Sequence, residues 1–140
     1  MPIKVSWDGH AVAVARVRGF RRTTAVVSIR EGDEPGLVRK TPGATTYEPL
    51  VLERFRTLDT AFEEWANLVF TPARPQPADA FRKEVRIELF DGSGEMIVTY
   101  IVHRCWPSEY VPLSELDAEP TEPIQESLTL QHEGWERVPA

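Results

Sequence analysis

Lys83-Glu84-Val85-Arg86-Ile87-Glu88-Leu89-Phe90 alternates charged and apolar residues, turns at Asp91-Gly92-Ser93-Gly94, and runs into the apolar stretch Met96 to Val102. A two-residue period places Val85, Ile87 and Leu89 on one face of a strand and Glu84, Arg86 and Glu88 on the other. A glycine-rich turn between two such runs is the signature of a β-hairpin. This stretch sets the expectation of an antiparallel β-protein.

The same period recurs on either side. Ile3, Val5 and Trp7 alternate with Lys4, Ser6 and Asp8, and Asp8-Gly9 supplies a turn. Ala11 to Arg18 and Thr23 to Arg30 read as a second hairpin joined by Gly19-Phe20-Arg21-Arg22, followed by a charged loop from Glu31 to Thr46. Tyr47 to Phe55 resumes the alternation, with Leu50, Leu52 and Arg54 opposed to Val51, Glu53 and Phe55. The last strand sets Ile124, Leu128 and Leu130 against Gln125, Ser127, Thr129 and Gln131, after a proline-interrupted acidic connection from Ser114 to Pro123.

One segment breaks the period. Leu58, Phe62, Trp65 and Val69 recur at helical spacing, and Thr60-Ala61-Phe62-Glu63 matches a capping box, predicting a helix over about 59–69. Pro72, Pro75 and Pro77 then argue for a surface loop, because each lacks an amide donor and fixes φ. Roughly seven strands and one helix point to an antiparallel barrel or sandwich. Such a sheet leaves edges exposed unless they close or pair with another chain.

The chain has 140 residues, 41% of them hydrophobic, enough for one core and too few for two ordinary domains, so residues 1–140 read as a single domain. An excess of 22 acidic over 16 basic side chains gives a net charge of -6, which opposes non-specific contact with phosphate backbones. A lone cysteine, Cys105, allows neither an intrachain disulfide nor a thiolate zinc cluster. His10, His103 and His132 lack carboxylates at ligand-like spacing, and no glycine-rich loop opens the helix, so neither a metal nor a nucleotide cofactor is expected. Met1 to Asp8 lacks the pattern of a signal peptide and no run approaches membrane-spanning length, so the expectation is cytoplasmic folding without a membrane anchor.

Several short motifs lie in order along the chain: Ile29-Arg30-Glu31-Gly32; Arg39-Lys40-Thr41-Pro42-Gly43 with Tyr47 beyond it; Trp65 on the helix; Arg82-Lys83; Cys105-Trp106-Pro107; and His132-Glu133-Gly134. Together with the turns at Asp8-Gly9 and Gly19-Phe20, this series resembles the inner tube proteins of contractile phage tails and extracellular contractile injection systems. The chain departs from the family pattern at Ile29, where an aromatic is usual, at Cys105, where alanine is commoner, and in the Pro72 to Pro77 loop.

The resemblance implies a β-barrel of the phage tail tube type, assembling into stacked hexameric rings around a lumen that carries cargo or DNA. It also implies a sheath protein, baseplate and spike proteins as partners, no sequence-specific nucleic acid, and cytoplasmic assembly into a phage tail-like particle that can be released from the cell. The subunit-interface candidates are Arg30, Glu31, Gly32, Arg39, Lys40, Pro42, Gly43, Trp106 and Glu133. Exposed charges of this kind contribute only about 0 to 1 kcal/mol each when merely solvated. Gly32 and Gly43 are expected at positive φ, and Trp106 at a strand end, either filling a subunit contact or capping the protomer's own core.

Three other readings follow. A tube initiator or baseplate-proximal paralogue would share the fold, and so would a secreted ring resembling the haemolysin-coregulated protein of type VI secretion. A small β-barrel enzyme would use Cys105 with His103, two apart on one strand and so on one face.

Overall fold

The computed structural model describes residues 1–30, 32, 36–70 and 80–139. In chain order its elements are β1 (Ile3–Trp7), β2 (His10–Val14), β3 (Arg16–Arg18), β4 (Arg22–Arg30), β5 (Val38–Tyr47), β6 (Leu50–Phe55), α1 (Ala61–Val69), β7 (Lys83–Phe90), β8 (Met96–Val111), β9 (Gln125–Gln131) and β10 (Trp135–Arg137).

An eight-stranded antiparallel sheet runs in the order β2-β1-β7-β8-β9-β6-β3, with β10 added alongside β8. The two ends of this path are successive pieces of one segment, 10–18, and between them the Ala15 N–H donates to the Glu53 carbonyl at 2.8 Å. The sheet therefore closes on itself as a barrel, which removes most of its free edges. Inward positions of the barrel strands supply the core: Val5 and Trp7, Leu50 and Leu52, Val85 and Ile87, Val102, Leu128 and Leu130. Helix α1 packs at the Trp7 end, where the Trp65 ring lies 4.8 Å from that of Trp7 and its indole N–H donates to Phe81 O at 2.7 Å.

The hairpin of 83–102 forms as read, with Leu89 opposite Val98 and Ile87 opposite Tyr100. The expected hairpin between 11–18 and 23–30 does not form: β2 pairs with β1, β3 with β6, and β4 with β5. Gly19 is the reason. At φ +83 it sends the chain away from β3, and a Cβ there would lie 2.0 Å from the Pro49 carbonyl oxygen. The region expected to be a charged loop from Glu31 to Thr46 is mostly strand, because β5 runs from Val38 to Tyr47 as partner of β4.

The helix begins as expected but is capped differently. Thr60 makes no side-chain cap; Asp59 Oδ1 accepts the Ala61 N–H at 3.0 Å instead. Leu58, read as part of the apolar face, is 101% exposed, since it precedes the first helical turn. The Pro72 to Pro77 loop lies outside the described residues.

Candidate assembly surface

Among the described residues, strands β4 and β5 pair only with each other, forming a two-stranded sheet apart from the barrel. No described residue from Arg22 to Thr46 is buried. Val26 is 66% exposed and Ile29 47%, so apolar side chains stand in water on both faces. A lone two-stranded hairpin is marginal in water, and a long exposed edge with apolar side chains is a template for pairing. What stiffens it internally is the cross-strand register, a Thr24–Thr45 hydroxyl bond of 2.8 Å and a bulge opposite Ala25.

The candidates Arg30, Gly32, Arg39, Lys40, Pro42 and Gly43 all lie on this one hairpin. Arg30 ends β4, Arg39 and Lys40 stand opposite Ile29 and Ser28, and Glu31 lies outside the described residues. Neither Gly32 nor Gly43 has positive φ. Gly43 sits in the bulge, where a Cβ would come within 3.1 Å of Val27 Cγ2. Pro42 pairs opposite Val26, so this part of the expected charged loop is strand; an outer strand tolerates a missing donor.

Trp106 and Glu133 lie elsewhere. Trp106 does not end a strand: β8 continues to Val111, and the missing donor of Pro107 is absorbed by a register shift between Pro107 and Glu109. Its ring meets Phe81 edge-on at 6.1 Å, packing within the protomer. Glu133 pairs with Arg104 of its own chain. The neighbouring Gly134 has φ +117 and meets the Tyr47 ring closely, while His132 Nε2 donates to Glu48 O at 2.8 Å. The His132-Glu133-Gly134 motif thus fastens the root of the hairpin, beside the ring cluster of Phe20, Tyr47, Tyr100 and Trp135.

Cys105 and His103 do not share a face. Arg104 takes φ +51 and the β7–β8 register shifts at this point, which breaks the alternation. His103 turns to Glu136 at 3.1 Å and Glu84 at 3.6 Å. Cys105 is fully buried, its thiol directed at the Val102 carbonyl, and burial, aided by Glu84, pushes its pKa up to about 12. A thiol so held is a poor nucleophile. Among the described residues no group of His, Cys, Asp and Glu is placed to hold a metal ion, and no helix is long and apolar enough to cross a membrane.

A closed β-barrel with one end helix and a projecting bare hairpin is the architecture against which the chain's relatives can be set. The sequence model of the T4-like virus tail tube protein gp19 family matches residues 3–136. The chain belongs to that family. It is a tail-tube structural subunit, with the tube-protein fold expected from its motifs.

Solved structures agree on the fold. A chain of the anti-feeding prophage (AFP) baseplate, six-fold symmetrised, superposes with TM-score 0.79 at 19% identity over 98% of this chain and 91% of that one. A chain of the PVC sheath-tube complex, an extracellular contractile injection system in its extended state, gives 0.76 at 19% identity, covering 97% and 88%. Hcp1 from Flavobacterium johnsoniae gives 0.64 at 14%, covering 98% and 94%. No curated protein matches the chain in sequence.

Inside this tail-tube protein lies a charged cluster that sequence reasoning left unremarked. Arg54, 3% exposed, donates from Nε to Glu126 Oε1 at 2.7 Å and from its other nitrogens to Asp59 Oδ2 and the Asp59 carbonyl, while stacking 4.1 Å above the Phe62 ring. Glu126, fully buried, also accepts from Tyr110 at 2.6 Å and Arg56 at 2.8 Å. Burial, reinforced by the Glu126 carboxylate, raises the Tyr110 pKa. The cluster ties β6, β8, β9 and the start of α1 together, so it holds the barrel end in shape. Its signal was present in the sequence: Arg54 on an apolar strand face and Glu126 in step with Leu128 and Leu130.

Proposed function

We propose that this chain, folded as one domain over residues 1–140, forms the inner tube of a contractile, phage tail-like injection particle as stacked homohexameric rings around a lumen. The observation that carries the reading is the bare hairpin of 22–47 in a chain of the tail tube family: a protomer alone leaves it uncovered, and a neighbouring copy supplies the cover. Arg30, Glu31, Gly32, Arg39, Lys40, Pro42 and Gly43 are the contact residues of this reading; Trp106 and Glu133 support the protomer. Similarity to chains from a baseplate and from an extracellular sheath-tube complex supports a sheath outside the tube and a baseplate at its end; in this reading spike proteins sit beyond the baseplate, cargo fills the bore, and the particle leaves the cell where it assembles.

The role is mechanical. When strand hydrogen bonds and apolar faces continue across subunit boundaries, separating rings breaks many interactions together, which gives the tube its stiffness. Purified protein examined by electron microscopy and sedimentation is expected to form rings and stacks at raised concentration; dispersed monomers throughout would count against the reading. The baseplate-derived neighbour favours a second reading, a tube initiator. An initiator would stop at single rings without its baseplate partners, whereas a main tube subunit would polymerise.

A further inference from the structure

The turn between β9 and β10 is fixed to the barrel through its backbone: the His103 amide donates to Gly134 O at 2.8 Å, and the Glu133 amide donates to His103 O at 2.9 Å. From this fixed turn a side chain reaches the hairpin. His132 Nε2 lies 2.8 Å from Glu48 O, and its Nδ1 lies 3.0 Å from the Gly134 amide nitrogen. Glu48 stands where the chain leaves the hairpin, and its own amide donates to Arg21 O, at the entry, at 3.1 Å. Both ends of the arm are thus tied through Glu48 to one imidazole.

The two contacts have fixed polarity. A backbone amide can only donate, so Nδ1 accepts; a carbonyl can only accept, so Nε2 carries the hydrogen. The ring is held as its neutral Nε2–H tautomer. A second proton would sit on Nδ1 and point at the Gly134 N–H. The glycine cannot turn aside, because it stands at φ +117 in close contact with the Tyr47 ring, so the imidazole has to swing and release Glu48.

The surroundings offer that added charge no partner. Glu48 turns its carboxylate to Arg21 at 3.4 Å, Glu133 pairs with Arg104, Tyr47 meets the imidazole edge-on at 5.7 Å, and Arg22 lies over the Trp135 ring. The other two histidines are placed the opposite way. His10 faces Asp59 at 3.1 Å, and His103 faces Glu136 at 3.1 Å and Glu84 at 3.6 Å, so a second proton strengthens their contacts.

We propose that His132 is a proton-operated latch for the hairpin: neutral, it holds the arm at a set angle to the barrel, and protonated, it lets the arm go, so that assembly weakens in acid. The proposal rests on the reading of the chain as a self-assembling tube subunit and adds a condition under which it assembles. The latch is closed where an imidazole is neutral and opens as pH falls through the histidine range, about pH 6.5. Bulk charge acts in the other direction. The net charge of -6 shrinks in acid and eases repulsion between copies, so weaker assembly at low pH is the reverse of what charge alone would give.

The test has two parts, both on the full-length chain. In the dispersed protomer, nitrogen NMR of protein with isotope-labelled histidine rings should show His132 as the Nε2–H tautomer at pH 7.5, its signal identified by its loss in His132→Gln. The other tautomer, or a cation at that pH, overturns the latch. In sedimentation, the concentration the parent protein needs to assemble should rise about three- to tenfold from pH 7.5 to 5.5, the worth of one hydrogen bond. His132→Gln, whose amide can reach Glu48 O without titrating, should show no such rise. An equal pH response in both proteins overturns the gating of assembly while leaving the tube reading intact. Parent protein that forms no rings at either pH overturns the tube reading and the gating with it, and the tautomer still decides the latch.

Discussion

Arg54 occupies the third inward position of β6, after Leu50 and Leu52, and a guanidinium there is tolerable only because Glu126 and Asp59 meet it. Removing one partner strands a charge in the core, so Glu126→Ala should cost about 3–5 kcal/mol in urea unfolding, whereas Arg54→Met combined with Glu126→Leu should recover most of that loss. Asp59 shows the pH consequence. Burial raises its pKa, but hydrogen bonds from His10, Arg54 and the Ala61 amide outweigh it and leave the folded value below the ordinary one. A depressed folded pKa contributes stability that is complete above the unfolded value, near 4, and lost as pH falls through the folded value. Melting temperatures measured from pH 6 downward should therefore drop less steeply for Asp59→Asn than for the parent. Cys105, with its pKa at about 12, should resist alkylation at pH 8 until the protein unfolds, which mass spectrometry would register. These partnerships join residues as far apart as Arg54 and Glu126, and a strand pattern marks a charge as inward without naming the group that meets it.

At the scale of elements, turns and kinks decided where strands went. Gly19 carries φ +83 against the Pro49 carbonyl, so Gly19→Ala combines backbone strain with a clash and should destabilise by at least about 2 kcal/mol. Gly9, at φ +75 with nothing within 4 Å of where a Cβ would stand, should lose only about 1 kcal/mol on the same change. Comparing the two by chemical denaturation separates strain from contact. Helix α1 offers a second contrast: Phe62→Ala should cost about 3–5 kcal/mol through the cavity under Arg54, while Leu58→Ser should be neutral. Strand identity was legible because each half-buried strand repeats every two residues. Strand pairing between 11–18 and 23–30 was not, since both segments find partners elsewhere along the chain and a glycine's φ, invisible in a letter, diverts the connection.

The whole molecule divides into a self-contained barrel and an arm without cover. Amides of 22–47 in the dispersed protomer should exchange with solvent far faster than those of β6, β8 and β9, and become protected on assembly; hydrogen exchange followed by mass spectrometry reads both states. Protection already present in the monomer would contradict the arm's need for a neighbour. The sequence suggested that unfinished sheet borders drive association, and the closed path from β2 to β3 relocates that need from the barrel to the hairpin.

What the amino-acid order determined by itself was periodicity: which half-buried segments are barrel strands, though not the exposed strand of 38–47, where the single described helix lies, and a run of motifs sufficient to place the chain among tube proteins. What only the tertiary structure decided was closure. Where Arg104 breaks the β8 alternation, which distant carboxylate neutralises Arg54, and which residues of the hairpin remain uncovered all depend on contacts between segments remote in sequence. Local alternation is enforced within a few residues by backbone geometry, whereas pairing and burial are settled by the free energy of the complete packed arrangement.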